Sequence, residues 1–424
     1  MSVVSELAKD VVLPKMLAVT QHFNTSHIQE KNIPLILHEQ MKHNAIISRI
    51  KPGMRIAVTC GSRGISNIDQ ITKSVISFLY EVGAFPFIIP AMGSHGGATA
   101  EGQLAILKDY GITEEYIGCP IISSMEVKKV GLSHDGRDIC IDKLAADSDG
   151  IIVIARIKPH TAFRGPYESG IMKMLVIGMG KQYGAEMCHQ SGFGNMAADL
   201  EEFGRMILKT APVLCGIGIL ENALDETMKI VVLGANEIAC EEPKLLLEAK
   251  NNMPKIFFDN LDVLIVDMIG KNFSGDGMDP NVAGNFCSPY ASGGIKAERR
   301  VALDLSEQSH GCAVGVGMLD MITRRLFEKI DLEMTYPNSI TSKMISQVKI
   351  PMILNSDKEA IQIALKTCVN CNVNNPRIVR IKNTLQCSKI EISEVLFREA
   401  VENDCVSIDG KAECFKFNES NNLF

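Results

Sequence analysis

The chain has no excess of positive charge, no long apolar run, no disulfide framework and few of the short signatures that mark common metal and nucleotide sites. Lys and Arg number 43 against 50 Asp and Glu, a formal net charge of −7. That speaks against the electrostatic footprint of a nucleic-acid binder. No apolar run approaches the length of a membrane span, so no membrane partner is expected. The opening stretch MSVVSELAKDVVLPK is mixed, with Glu6 and Asp10 set among its apolar residues, unlike a signal peptide. The 13 cysteines are odd in number and sit in apolar contexts such as AVTCG, IGCPI and VLCGIG. They read as reduced thiols of a cytoplasmic protein. One C-x-x-C, Cys368 and Cys371, has no second pair at zinc-ribbon spacing and reads as structural. H-E-x-x-H is absent, which argues against a zinc-dependent hydrolase or lyase. No G-x-G-x-x-G follows the first strand with an acidic residue about twenty positions on, which argues against a nicotinamide dehydrogenase. No internal repeat or low-complexity tract interrupts the pattern.

What is present is an alternation of apolar runs and amphipathic segments. Hydrophobic residues make up 46% and charged residues 22% of 424, a globular composition too long for one ordinary core. Strands are expected at RIAVTC (55–60), FPFIIP (85–90), GIIVIARI, MKMLVIGMG, APVLCGIGI, MKIVVLG and LDVLIVDMIG (261–270). Between them SNIDQITKSVISFLYEVG places Ile68, Ile71, Val75, Phe78, Leu79 and Val82 on one helical face. ATAEGQLAILKDYG reads as a helix stopped at Gly111. Strands this apolar, separated by helices, imply a mainly parallel sheet covered on both faces. The expected architecture is therefore two α/β domains, 1–255 and 256–424, with the active site in the cleft between them. The last residues, KFNESNNLF, are expected to fray, with packing back on the first domain as the alternative.

In open α/β sheets ligands sit beyond the carboxyl ends of the strands. Four loops there are rich in Gly and carry a reactive side chain: CGSRGISN, AMGSHGGATAEG, KPHTAFRGPYESG and GKNFSGDGMDPNVAGN. A Gly-rich loop opening onto a helix can cradle a phosphate, although a tight βα turn needs Gly in any case. Of the nine histidines, His95 and His160 lie in such loops, and His189 follows Lys173 by sixteen residues. Each alone reads more readily as a hydrogen-bonded structural histidine; it is their placement together that points to chemistry. Two imidazoles facing one carbon can alternate as base and acid, and a third can ligate a metal. Lys173, in the apolar run IMKMLVIG, is expected in a strand, where a buried lysine is costly unless paired or chemically used. His310, in QSHGC, reads as partly buried.

These residues, in this order, resemble the lactate racemase family, whose members use a nickel-pincer nucleotide cofactor. The resemblance rests on IKPH with His160, SGIMK with Lys173, EMCH with His189, MGSHGG with His95 and GSRGI with Arg63. It implies that His95 and His160 are the catalytic acid–base pair and that Lys173 holds the cofactor as a thioamide. His189 would ligate nickel. Ser62, Gly93 and Ser94 would lie on the cofactor, a nickel pyridinium bisthiocarboxylic acid mononucleotide. Arg63 and Lys271 would hold the substrate carboxylate, with Asn272 and Asp279 beside it. The implied reaction is racemisation or epimerisation of a small 2-hydroxy acid by hydride transfer, with cofactor-synthesis enzymes as partners. CGSRGI stands where lactate racemase has a D-x-T-R-P type loop, and Gly-Gly follows His95 where the family has Arg-Pro. The polar GKNFSGDGMDPN points to a more hydroxylated or acidic substrate than lactate. The alternative from another class is a non-catalytic protein that binds or delivers the cofactor. Such a protein would keep Lys173 and His189 without needing both His95 and His160.

Overall fold

Burial on both faces of nearly every early strand organises the first sheet. In the computed structural model, which describes residues 3–43 and 46–424, the strands are β1 (Met16–Gln21), β2 (Arg55–Cys60), β3 (Phe85–Pro90), β4 (Val127–Leu132), β5 (Asp138–Asp142), β6 (Gly150–Arg156), β7 (Val213–Glu221) and β8 (Thr227–Gly234). They continue with β9 (Leu261–Ile269), β10 (Ala297–Leu305), β11 (Met321–Thr323), β12 (Met352–Leu354), β13 (Ile378–Ile381), β14 (Lys389–Ser393) and β15 (Val406–Ile408). The protein forms two compact units, residues 25–253 and residues 1–24 with 254–424.

In the unit 25–253 the sheet order is β3-β2-β6-β7-β8. Side-chain alternation along the strands feeds two cores. Ile56, Val58, Ile152 and Ile154 face the helices Ile33–His43 and Ile68–Glu81. Ala57, Ile151, Val153 and Ala155 face the segment Ile171–Gly178 and the helices Met196–Thr210 and Ile238–Asn252. The helix Ile68–Glu81 buries Ile68, Ile71, Val75, Phe78 and Leu79, the spacing read from its sequence. Most pairings are parallel, but β8 runs antiparallel to β7. β4 and β5 form a separate antiparallel hairpin.

The second unit has an eight-stranded sheet, β12-β11-β10-β9-β13-β14-β1-β15. It is parallel from β12 to β13 and antiparallel from β14 to β15. Here three expectations are corrected. Residues 1–24 belong to this unit, because β1 inserts between β14 and β15 and satisfies both ladders. The carboxyl terminus is tied down: the Leu423 N–H donates to Asp357 at 2.8 Å, the Lys358 N–H to the Asn421 carbonyl at 3.1 Å, and Arg325 to the Phe424 carbonyl at 3.0 Å. His310 is exposed, in a left-handed turn. Cys368 and Cys371 follow the helix Asp357–Thr367 and donate to backbone carbonyls, a structural use.

A fourth correction bears on the site. The run MKMLVIGMG is no strand. It forms the short helix Ile171–Lys173 and continues as a π-turn over Met174–Gly178. A short apolar run cannot be assigned to strand or buried helix by periodicity alone. What decides is Glu242, buried on the helix Ile238–Asn252, whose carboxyl oxygen accepts the Met172 N–H at 3.0 Å and so caps the new helix. A Cβ at Gly170 would lie 2.1 Å from that carboxyl group, so the residue before the helix must be glycine.

Burial pushes the Glu242 carboxyl up to about 8, against the pull of the Met172 and Ile171 N–H groups. A carboxyl raised in the folded state contributes stability that is full below pH 4.5 and is lost as pH rises through about 8. The wild type should therefore weaken over that window, by on the order of 5 kcal/mol at most. Glu242→Gln should flatten the slope. Urea midpoints of both proteins at pH 5 and pH 8 check this, and parallel slopes would contradict it.

Candidate functional site

Parallel pairing sends β2, β3 and β6 in one direction, so the segments after Cys60, Pro90 and Arg156 leave the sheet at the same end. Three of the four Gly-rich loops meet there, over the segment Ile171–Gly178. A Cβ at Gly61 would come within 2.8 Å of the Met174 methyl, and one at Gly178 within 2.8 Å of the Ala91 carbonyl oxygen. The Gly93 N–H donates to the Gly178 carbonyl at 3.1 Å, and Gly93 has φ +58. Its N–H is thus engaged within the fold rather than turned to a phosphate. His95, Ser94 and Arg63 are exposed on their loops. Ser62 takes a role beyond the one expected of it: its hydroxyl pairs with Nδ1 of His95. Tyr110 in turn donates to the Ser62 carbonyl at 3.2 Å.

The loop carrying His160 is closed at its base by reciprocal Lys158–Ser169 backbone hydrogen bonds, at 3.0 and 3.2 Å. Its shape depends on Glu168, whose side chain is fully buried. That carboxylate accepts the His160 N–H at 2.8 Å, Arg164 at 3.2 Å, the Gly165 N–H at 3.4 Å and the Lys250 ammonium at 2.6 Å. Arg164 also donates to the His160 carbonyl at 2.6 Å. The Ala162 N–H donates to Nδ1 of His160 at 3.1 Å, which leaves the proton of the neutral ring on Nε2. Phe163 lies 4.5 Å from the His160 ring, centroid to centroid. Phe193 lies 6.4 Å from His160 and 5.8 Å from His189, bridging the two.

Lys173 is half-buried at the end of its helical turn, and His189 is exposed at the end of the helix Lys181–His189. Both act on His160. Burial, then the charges of Lys173, His189, Lys158 and Arg164, hold the His160 pKa well below 6.5. His160 is therefore neutral at pH 7 inside a ring of cations, which favours an anion arriving beside it. Among the described residues, no group of three or more His, Cys, Asp or Glu is placed to hold a metal.

Lys271, Asn272 and Asp279 belong to the other unit. The Lys271 N–H donates to the Ser309 hydroxyl at 2.9 Å, and that hydroxyl donates to Asn272 at 3.2 Å. Asp279 is buried and caps the short helix Pro280–Ala283, accepting from the Asn281 N–H at 2.9 Å and its side-chain amide at 2.8 Å. Its carboxylate holds that turn together. Sequence reasoning missed Glu168, Phe193, Lys181 and Gln103. The signals were a carboxylate inside a Gly-Pro loop (GPYESG) and a lysine flanked by glycines and apolar residues (IGMGKQYG).

Residues 6–199 match the family model described as the lactate racemase N-terminal domain. That span, which is under half of the chain, contains Arg63, His95, His160, Lys173 and His189. No curated protein matches it. Among solved structures it is similar to a protein from Thermotoga maritima, with 15% identity, a TM-score of 0.47 and coverage of 66% of this chain and 71% of that one. It is also similar to the lactate racemase apoprotein from Thermoanaerobacterium thermosaccharolyticum, with 11% identity, a TM-score of 0.45 and coverage of 85% and 83%.

Nearby cations favour a neutral imidazole, so removing one should let His160 bind its proton at higher pH. Lys173→Met is expected to raise the His160 pKa toward 6.5. Histidine NMR titration of the protein measures it, and an unchanged or lower value would show that the two groups do not interact.

Proposed function

We propose that the protein is a racemase or epimerase of a 2-hydroxy acid, working with a nickel-pincer nucleotide joined to Lys173. The observation that carries this reading is His160, kept neutral and half-buried beside Lys173 and His189, with His95 on a neighbouring loop of the same sheet end. The residues fit the group. Lys173 offers an amine for the covalent link and His189 an imidazole nitrogen for nickel, the remaining ligands coming from the nucleotide. Lys158, Arg164 and Lys173 supply the positive surroundings that an anionic cofactor and a carboxylate substrate need.

When bound, the nucleotide supplies reversible hydride acceptance, chemistry that no side chain offers. The chain's own residues manage the proton and the water. His95 and His160 take and return the hydroxyl proton of the substrate, one on each side of the reacting carbon. The Ser62 hydroxyl on Nδ1 of His95 orients that ring. His160 must first exchange its contact with the Ala162 N–H before its Nε2 can accept a proton, so the two histidines are not equivalent. Phe163 and Phe193 screen the His160 ring from water. Arg63 is exposed beside the loops and can take a carboxylate bidentately. The presence of both histidines favours this reading over a cofactor-delivery protein.

The test is protein made together with cofactor-synthesis enzymes, examined by intact mass, nickel analysis and a panel of chiral 2-hydroxy acids. The wild type should carry a covalent increment and nickel. Lys173→Ala should lack the increment, and His189→Ala should lose nickel. His95→Ala and His160→Ala should each keep the increment and lose roughly 10²–10⁴-fold in racemisation. An increment on another lysine, or full racemisation by either histidine variant, would refute the assignment concerned.

A further inference from the structure

A buried cation lies behind the His95 loop. Lys181 begins the helix Lys181–His189 in a left-handed conformation, φ +53, and has no exposed surface. Neither condition suits a lysine: the conformation crowds its Cβ, and the burial strips its ammonium of water. Burial pulls its pKa down, and Asp142 opposes that pull. The ammonium has three donors, and the structure shows three acceptors around it. It donates to the Pro90 carbonyl at the end of β3, from which the His95 loop departs. It lies 3.0 Å from the Asp142 carboxylate, which is equally buried, and 3.5 Å from Oε1 of Gln103. Gln103 is also fully buried, and its amide NH2 donates to the Gly93 carbonyl at 2.9 Å and the His95 carbonyl at 3.2 Å.

The carbonyl oxygens of Pro90, at the end of β3, and of Gly93 and His95, in the loop, thus accept from two buried side chains, the His95 carbonyl also from the Ala98 N–H at 3.3 Å. The far end of this chain of contacts is firm. Asp142 closes β5, accepts the Ala145 N–H at 3.1 Å, and donates its own N–H to the Met179 carbonyl at 2.6 Å. An apolar residue at position 103 would take the side-chain donor from the Gly93 carbonyl, and one at position 181 would take it from the Pro90 carbonyl.

We propose that Lys181 and Gln103 are positioning residues that hold the His95 loop against the sheet, and so keep the His95 ring in contact with Ser62. Their value to catalysis rests on the reading of His95 as a proton-transfer group. The pinning itself does not.

The experiment uses the full chain without cofactor. Gln103→Leu removes both loop donors without stranding a charge. Lys181→Met combined with Asp142→Asn removes the ammonium and its counter-charge together. Hydrogen–deuterium exchange over residues 91–98 should rise about tenfold or more in each, as expected for local opening, with β2, β6 and β7 as protected as before. Nitrogen-labelled histidine spectra should show His95 passing from one fixed tautomer to an average of two. Unchanged exchange and an unchanged His95 tautomer in both variants would overturn the proposal. Exchange rising equally across β2, β6 and β7 would overturn it too, in favour of a general structural role. Full racemisation by His95→Ala would refute the catalytic reading while leaving the exchange result standing, so the two failures are distinct.

Discussion

The structure around His160 depends on one constraint: backbone N–H groups turned into a dry interior must find an acceptor. β6 is buried as far as Ala155, and Ile171 and Met172 of the helical turn that follows its loop are buried again. The connecting segment cannot give its amides to a sheet, and much of it is shielded from water. Two buried glutamates answer the need. Glu168 gathers the amides of His160 and Gly165 with the cations of Arg164 and Lys250. Glu242 receives the Met172 amide of the helical turn that carries Lys173. Removing Glu168 would take an acceptor from four polar groups at once.

The two glutamates differ in their electrostatic surroundings. Glu168 faces a guanidinium and an ammonium. Glu242 has only backbone dipoles, and its carboxyl rises to about 8. The same difference separates the histidines. His160 sits among cations and stays neutral, whereas His95 is exposed and is oriented by a neutral hydroxyl. In the proposed racemisation, two imidazoles so differently placed need not work symmetrically in the two directions. Cations clustered around a half-buried imidazole also fit a site meant for an anionic guest.

Much of this was legible in the sequence. RIAVTC, FPFIIP and GIIVIARI are strands, and the helix after the first of them buries the face its spacing marks. Their parallel order places the loops of Arg63, His95 and His160 at one sheet end. What the sequence hid were contacts between distant positions. Glu168 meets Lys250, Lys181 meets Asp142 and Pro90, and Glu242 meets Met172. None of these pairs is joined by a local period. Ser62 read as a cofactor contact because its loop is glycine-rich, and the structure pairs it with His95 as well.

The sequence by itself determined the alternation of strand and helix, the two-sided burial of the early strands and the loops that hold the reactive side chains. These follow from hydrophobic period and turn chemistry, which act over a few residues. Tertiary structure alone decided that Ile171–Gly178 coils instead of extending, since a carboxyl group some seventy residues away caps it. It alone decided that β1 leaves its sequence neighbours to pair with β14 and β15, because an unpaired ladder there accepts it. And it alone decided which of many charged residues would be buried, because that depends on the partner each one meets across the fold.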